Sequence, residues 1–301
     1  MAARKQLRAA RLGRLIEEFP RYLAVFTEQP PFSRSGQWEH HAHTIELRRA
    51  AGSVEAAIED PAFVESLWLT LRAWGIGIRG SRLVERRQFH AELARCRLQL
   101  ARLGGLTLAS DGAGRTGVWD LVQHLEITNN RAKLVALTKT LHHLLPDLVV
   151  PIDRAYTGTF FAYNVAEFQV SQRPIFDTVW AAFSRIAGEA RPTRYVGDGW
   201  NTSATKVIDN AIIGFCIAEG LQQSKQTTPK LPGLHIPTRS ASGSPRRETW
   251  TIRDLESDLD AFAGELRDAG LKQSSIDTYV GRSETFVRWL AGRYQPRGPN
   301  S

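Results

Sequence analysis

The sequence predicts an all-α protein: a large helical domain joined by a flexible linker to a small helical one. Three observations lead there. Apolar residues recur every three or four positions, as in Leu67, Leu71 and Trp74, or Leu134, Leu137, Leu141 and Leu144, which places each set on one face of a helix. No run alternates apolar and polar residues with the two-residue period of a half-buried strand. The segment QQSKQTTPKLPGLHIPTRSASGSPRRET, residues 222–249, is rich in Ser, Thr, Pro and Gly and poor in large apolar side chains, the composition of a linker. The expected divisions are therefore a helical domain over 1–221, a linker over 222–249 and a small helical module over 250–295.

A chain of 301 residues has room for one large domain and a small one, and 42% hydrophobic with 23% charged residues is a globular composition. The formal net charge of +8 favours polyanionic partners, because a positive field raises encounter rates with phosphate backbones. The first fourteen residues carry Arg4, Lys5, Arg8, Arg11 and Arg14 and no acid. They lack the apolar core of a secretory signal and read as a frayed helix start, with a transit peptide or a basic nucleic-acid-contacting arm as alternatives. No apolar run is long enough to span a bilayer, so no membrane partner is expected. Cys96 and Cys216 lie far apart in apolar helical stretches and read as buried, reduced thiols. The absence of a Cys-x-x-Cys pair excludes a zinc ribbon, and the low cysteine count fits a reducing, cytoplasmic location.

The last fifty residues carry the clearest local signals. Thr251 followed by Asp254 makes a capping-box-like start, and Ile252, Leu255, Leu259, Phe262 and Leu266 then recur at helical spacing. Gly270 stands where a left-handed cap belongs. Ser274 with Asp277 opens a second helix, whose expected buried stripe is Ile276, Tyr279, Val280, Phe286, Val287 and Leu290. Such a pair is too small to bury a core alone, so further helices or the main body must close it. From about Trp250 to Arg293 the segment resembles the SAM-like core-binding domain of tyrosine recombinases and phage integrases. That resemblance implies DNA as the partner. It places Lys272, Ser274, Ser275 and Thr278 against the DNA backbone, with Arg282 one turn further along and Arg288 later on the same helix. Helix-start amides and hydroxyls donate to phosphate oxygens, and Lys or Arg supplies charge. The competing reading has Ser274 and Ser275 as helix caps and Lys272 and Arg282 as solvated side chains. Recombination itself is not expected, because the chain ends at Ser301 and no His-x-x-Arg box occurs in it.

In the body, the strongest signature is TKTLHHLLPDLVVPIDRAYTGTFF, residues 138–161. A helix carrying Lys133 and Lys139 runs to His142 and His143. Pro146 ends it, and Pro151-Ile152-Asp153-Arg154 holds Asp153 on a rigid turn. The spacing of Lys133 and Asp153 is similar to that in helix-hairpin-helix DNA glycosylases, where a Lys acts as nucleophile or an Asp stabilises the sugar cation. The glycosylase hairpin glycines are missing from Ile127–Lys133, so the competing reading is that Asp153 caps the next helix and pairs with Arg154 or a nearby Lys. Upstream, Trp74-Gly75-Ile76-Gly77-Ile78-Arg79-Gly80-Ser81 could bring backbone amides and Arg79 to a phosphate, or could simply be a Gly-capped helix end. Arg79, Lys139, His142, His143, Asp153 and Arg154 thus form the candidate anion or functional site.

Other elements are weaker. His40 and His43, at i and i+3, need a third metal ligand such as His142 or His143. A surface or capping role for His40, His41 and His43 is the simpler reading. The polar Gly-rich loop 194–203 precedes a helix starting near Ala204 with Lys206 and Asp209. Ser203 serves there as N-cap, and an anion seat is the alternative. No Ser/His/Asp order, Walker loop or His-Glu-x-x-His motif is present, so no catalytic residue, cofactor or metal is expected. The Trp-Gly-Ile-Gly and Leu-Pro-Asp-Leu elements resemble an uncharacterised bacterial helical family and transfer no activity. Three functional readings follow, in order: a DNA-binding protein without chemistry of its own, a helical scaffold for another protein, and a nucleic-acid-processing enzyme using Lys139, His142, His143 and Asp153.

Overall fold

The computed structural model describes residues 2–32, 36–77, 82–109, 112–221, 251–268 and 273–293. Among these residues there are helices and no strand, as the periodicity predicts, and one isolated antiparallel bridge joins Leu83 to Thr128. The chain divides into two compact units, Met1–Ser224 and Lys225–Ser301. The linker 222–249, Arg79, Gly270 and Lys272 lie outside the described residues.

The first unit runs α1 Ala2–Glu17, α2 Phe19–Glu28, α3 Gln37–Ala50, α4 Val54–Glu59, α5 Pro61–Ala73, α6 Arg86–Arg95, α7 Arg97–Leu103, α8 Ala113–His124, α9 Leu134–Leu144, α10 Thr157–Phe160, α11 Glu167–Val170, α12 Gln172–Ala190 and α13 Ala204–Ala218. Helix α13 is the axis of the unit. Thr205 to Cys216 is buried without a break, the pattern of a helix enclosed on every side. It packs on α2, α10 and α12, while α3 packs on α5 and both meet α9. One continuous apolar core links these layers, with Phe19, Phe89, Phe160, Phe176 and Phe215 fully enclosed. Each such ring contributes about 1.5–3 kcal/mol by leaving water. The expected stripe Leu134, Leu137, Leu141 and Leu144 is buried to within 1%. Lys133 stands at the cap position before α9 rather than inside it. Cys96 and Cys216 are both buried free thiols, and burial pushes the Cys216 thiol up to about 12.

The N-terminus differs from the frayed start expected of it. Helix α1 is regular from Ala2, and its arginines reach back to the body. Arg4 pairs with Glu167 at 2.6 Å, and Arg14 pairs with Glu219. Arg8 donates to the Phe161 carbonyl at 2.5 Å, and Arg11 donates to the Thr159 and Phe160 carbonyls at 2.8 Å. The last carbonyls of a helix keep unfilled lone pairs, even where, as at Thr159, a backbone N–H is also accepted, and cationic side chains near a helix C-terminus satisfy and stabilise them. Within the run that reads as a frayed helix start in sequence, Arg8 and Arg11 therefore supply a C-cap from another helix, and Arg4 and Arg14 make ion pairs.

The second unit contains α14 Ile252–Asp268 and α15 Gln273–Leu290. The predicted capping box is formed: Thr251 N–H donates to Asp254 Oδ2 at 3.0 Å and Asp254 N–H donates to Thr251 Oγ1 at 3.2 Å. Ala263, Leu266, Ile276 and Val287 are buried, but Phe262, Phe286 and Leu290 are 37%, 57% and 44% exposed. The expected apolar stripe is thus only partly covered, because two helices offer too little surface to enclose it. Ser274, Ser275, Thr278 and Arg282 fall within α15, with side chains outside the described set, and Arg288 is exposed.

Candidate functional site

The site grows from α9. Leu134 N–H at its start donates to the Gln172 side chain at 2.9 Å, which replaces a cap that Lys133 cannot supply. The apolar stripe of α9 fixes its rotation, and that rotation turns Lys139 toward the end of α5. There Lys139 Nζ donates to the Trp74 carbonyl at 3.3 Å and lies 5.6 Å from the centre of the Trp74 ring. Helix α5 stops at Ala73, and Gly75 and Gly77 follow with φ of +85° and +103°. These left-handed values, which glycine adopts without strain, fold the chain back so that Ile76 N–H reaches the Leu71 carbonyl at 2.9 Å.

After α9 the chain passes through Pro151 to Asp153. Asp153 Oδ1 accepts from Tyr156 N–H at 2.7 Å and Thr157 N–H at 3.2 Å, so the capping role read from sequence is realised. Asp153 does more than cap. With Lys139, Phe32, Gln37, Trp74 and Pro151 it borders a cavity of about 40 Å³ whose remaining lining is Lys206 and Asp209 from α13. Phe32, Gln37, Trp74, Lys139 and Asp153 are half-buried and form the rim, while Lys206 and Asp209 are buried and form the floor.

The first turns of α13 place that floor. Ser203 caps the helix by accepting from Lys206 N–H at 3.2 Å, as predicted. Lys206 Nζ donates to Asp209 Oδ2 at 2.6 Å and to Asn210 Oδ1 at 2.8 Å. Four aromatic rings, those of Phe26, Phe32, Trp74 and Trp200, stand 5.1–5.8 Å from the same ammonium, within cation–π range. Burial pushes the Asp209 carboxyl up, and the Lys206 ammonium opposes that shift. Burial pushes the Lys139 amine down, while Asp153 and Asp209 pull it back up and Lys206 and Arg154 add to the lowering.

Behind the rim lies a buried imidazole group. His41 Nδ1 and His143 Nε2 are 3.0 Å apart, His41 Nε2 and Thr202 Oγ1 3.0 Å, and His143 Nδ1 and the Lys139 carbonyl 2.8 Å. A carbonyl only accepts, so His143 carries its proton on Nδ1, His41 donates from Nδ1 to His143 Nε2, and Thr202 donates to His41 Nε2. His142 donates from Nδ1 to the Val149 carbonyl at 2.9 Å, and its buried Nε2 has no partner among the described residues. Burial drives all three imidazoles down, His143 to about 4, in keeping with neutral rings. The surface role expected of the His-rich run thus holds for exposed His43 and fails for fully buried His41. No group of His, Cys, Asp or Glu among the described residues is arranged to hold a metal ion.

Of the sequence candidates, the structure gathers Lys139, Asp153, His142 and His143, with half-buried Arg154 close enough to influence Lys139. Lys133 does not line the cavity; it pairs with Glu126 at 3.7 Å. Sequence reasoning missed Phe32, Gln37, Trp200 and Asn210 and gave Lys206 and Asp209 no role in the site. A signal for the last three was present: a Lys, Asp and Asn cluster inside a helix that is otherwise apolar on all faces is costly unless it has a use. No helix among the described residues is long and apolar enough to cross a membrane. No protein-family model, curated protein or solved structure matches this chain.

Proposed function

We propose that the chain is a DNA-binding protein that processes nucleic acid. In this reading α14 and α15 contact the phosphate backbone and the cavity of the first unit supplies the chemistry. Lys139 is the nucleophilic amine, and the Asp153 carboxylate stabilises positive charge as it develops on the sugar. One observation carries the reading: two lysines and two aspartates line a single aromatic-walled cavity in a helical body. Stability does not call for this, since buried ion pairs are often no better than apolar packing of the same volume. Ionisable groups shifted by burial and by one another in a cleft mark a functional site. The net charge of +8 suits a polyanionic substrate. Trp74 and Phe32 on the rim offer faces on which a base can stack. A cavity of about 40 Å³ is smaller than a base, so engaging a nucleotide requires these rim rings to move.

The test is base release and strand scission on defined duplex and single-stranded DNA. Asp153→Asn keeps an oxygen for the helix cap and removes the charge; Lys139→Met removes the amine. Both are expected to retain DNA binding and lose product formation. Wild-type inactivity across the whole panel contradicts the reading. A second reading, a scaffold for another protein, draws on the exposure of Phe262 and Leu290, since exposed apolar side chains on one module suit a protein partner. Partner capture that survives nuclease treatment supports it.

A further inference from the structure

A second cavity of the first unit, of about 290 Å³, shares no lining residue with the cavity of Lys139. Its size approaches the roughly 300–1,000 Å³ of small-ligand sites. Three segments supply its polar groups. Arg48 and Arg49 come from the last turn of α3, Pro146 and Asp147 from the turn after α9, and Thr202 and Ser203 from the start of α13.

The two arginines have donors to spare. Arg48 is only 9% exposed. Its Nε–H donates to the Leu144 carbonyl at 2.8 Å, and Nη1 and Nη2 have no hydrogen-bond partner among the described residues. A guanidinium buried in that state costs free energy unless something satisfies it. Asp147 and Glu55 are the acids whose charge reaches Arg48, and neither forms an ion pair with it among the described residues. Exposed Arg49 donates from Nη2 to the Thr202 carbonyl at 2.6 Å and likewise has no acid partner among them.

We propose that this cavity is a phosphate-binding site, with Arg48 and Arg49 as its cationic clamp. The planar guanidinium fork matches phosphate oxygens two at a time, which a bare carbonyl partner does not exploit. The start of α13, a helix of 15 residues, adds to the attraction. Ser203 already accepts from Lys206 N–H, so the amides of Ala204 and Thr205, which have no helical acceptor, are the ones left for an anion. This is the anion seat that the loop before Ala204 offers in sequence as an alternative to simple capping. A phosphate group arrives either as a free anion or as part of a nucleic-acid backbone, and the recognition chemistry is the same. The site stands whether or not the Lys139 cavity acts on DNA.

The experiment titrates the full-length protein with inorganic phosphate by calorimetry, at constant ionic strength set with sodium chloride, and with a short DNA duplex by gel shift. Arg48→Lys keeps the charge and removes the fork. Arg49→Gln removes an exposed charge. Arg185→Gln, an exposed arginine of α12 paired with Glu189 at 2.6 Å, controls for net charge. With a free anion as the source, the wild type binds phosphate saturably at one site, and Arg48→Lys and Arg49→Gln each weaken it roughly tenfold or more, while Arg185→Gln leaves it unchanged. With the backbone as the source, the same two variants weaken duplex binding by that factor, Arg185→Gln does not, and phosphate competes with the duplex. If Arg48→Lys does not fold, Arg49→Gln carries the test. Phosphate and duplex binding that are both absent, both indifferent to Arg48 and Arg49, or weakened equally by Arg185→Gln overturn the proposal. Phosphate bound at this site without any duplex binding rejects the DNA-binding reading and leaves the site standing.

Discussion

A Cβ on Gly214 would lie 1.8 Å from the carbonyl oxygen of Tyr22. Helices α2 and α13 therefore meet backbone to backbone at this point, with no room for even a methyl group. The contact anchors α13 about two turns after Lys206 and about one and a half after Asp209, so it also fixes the floor of the cavity. Gly214→Ala is expected to destabilise the first unit by about 1–3 kcal/mol or more through overpacking. Gly13→Ala, in α1 with nothing within 4 Å, is expected to stabilise by about 0.5–1 kcal/mol through helix propensity. Urea denaturation of the two variants checks this, and equal midpoints contradict the close approach.

The buried imidazoles make stability depend on pH. His41, His142 and His143 all lie below the ordinary histidine value when folded, because burial disfavours the charged ring. Below about pH 6.5 the unfolded chain takes up protons that the folded chain refuses, so stability falls as pH drops from 7 toward the folded values, about 4 for His143. The expected slope is about 1.4 kcal/mol per pH unit for each ring. Urea midpoints at pH 7 and pH 5.5 measure it. His142→Phe is expected to flatten the dependence by about one ring's share, whatever its stability at pH 7. A wild-type midpoint that does not change with pH contradicts the neutral-ring assignment.

Arg288 is the exposed cation of α15 whose side chain the structure describes. If this helix lies along a phosphate backbone, binding weakens with salt as neutralised phosphates release counterions. Arg288→Glu is expected to weaken binding about equally across sequences and to reduce the slope of log affinity against log salt by about 1. Gel-shift titrations at several salt concentrations decide it. An unchanged slope removes Arg288 from the interface.

Much of the architecture was legible in the sequence because it is local. The four-residue recurrence of leucines gives α9 and its buried face, Ser203 caps α13, and Thr251 with Asp254 closes the box at the start of α14. The site was half legible for the same reason. Lys139, His142, His143 and Asp153 lie on one continuous segment and could be grouped by eye. Phe32, Trp74 and Lys206 arrive from other parts of the chain, and no local pattern encodes that meeting. His41 was misread because a His-rich run looks polar, whereas its burial depends on His143 and Thr202, 102 and 161 residues away. The arginines of α1 were misread likewise, since their carbonyl partners on Thr159, Phe160 and Phe161 lie about 150 residues on.

Lys139 is proposed above as the amine that would attack a DNA substrate. Borohydride trapping on a duplex carrying an abasic site, followed by peptide mapping of the cross-linked residue, tests it most directly. A covalent protein–DNA adduct at Lys139 is expected, abolished in Lys139→Met. The absence of an adduct, or its attachment at Lys133 or another lysine, contradicts it.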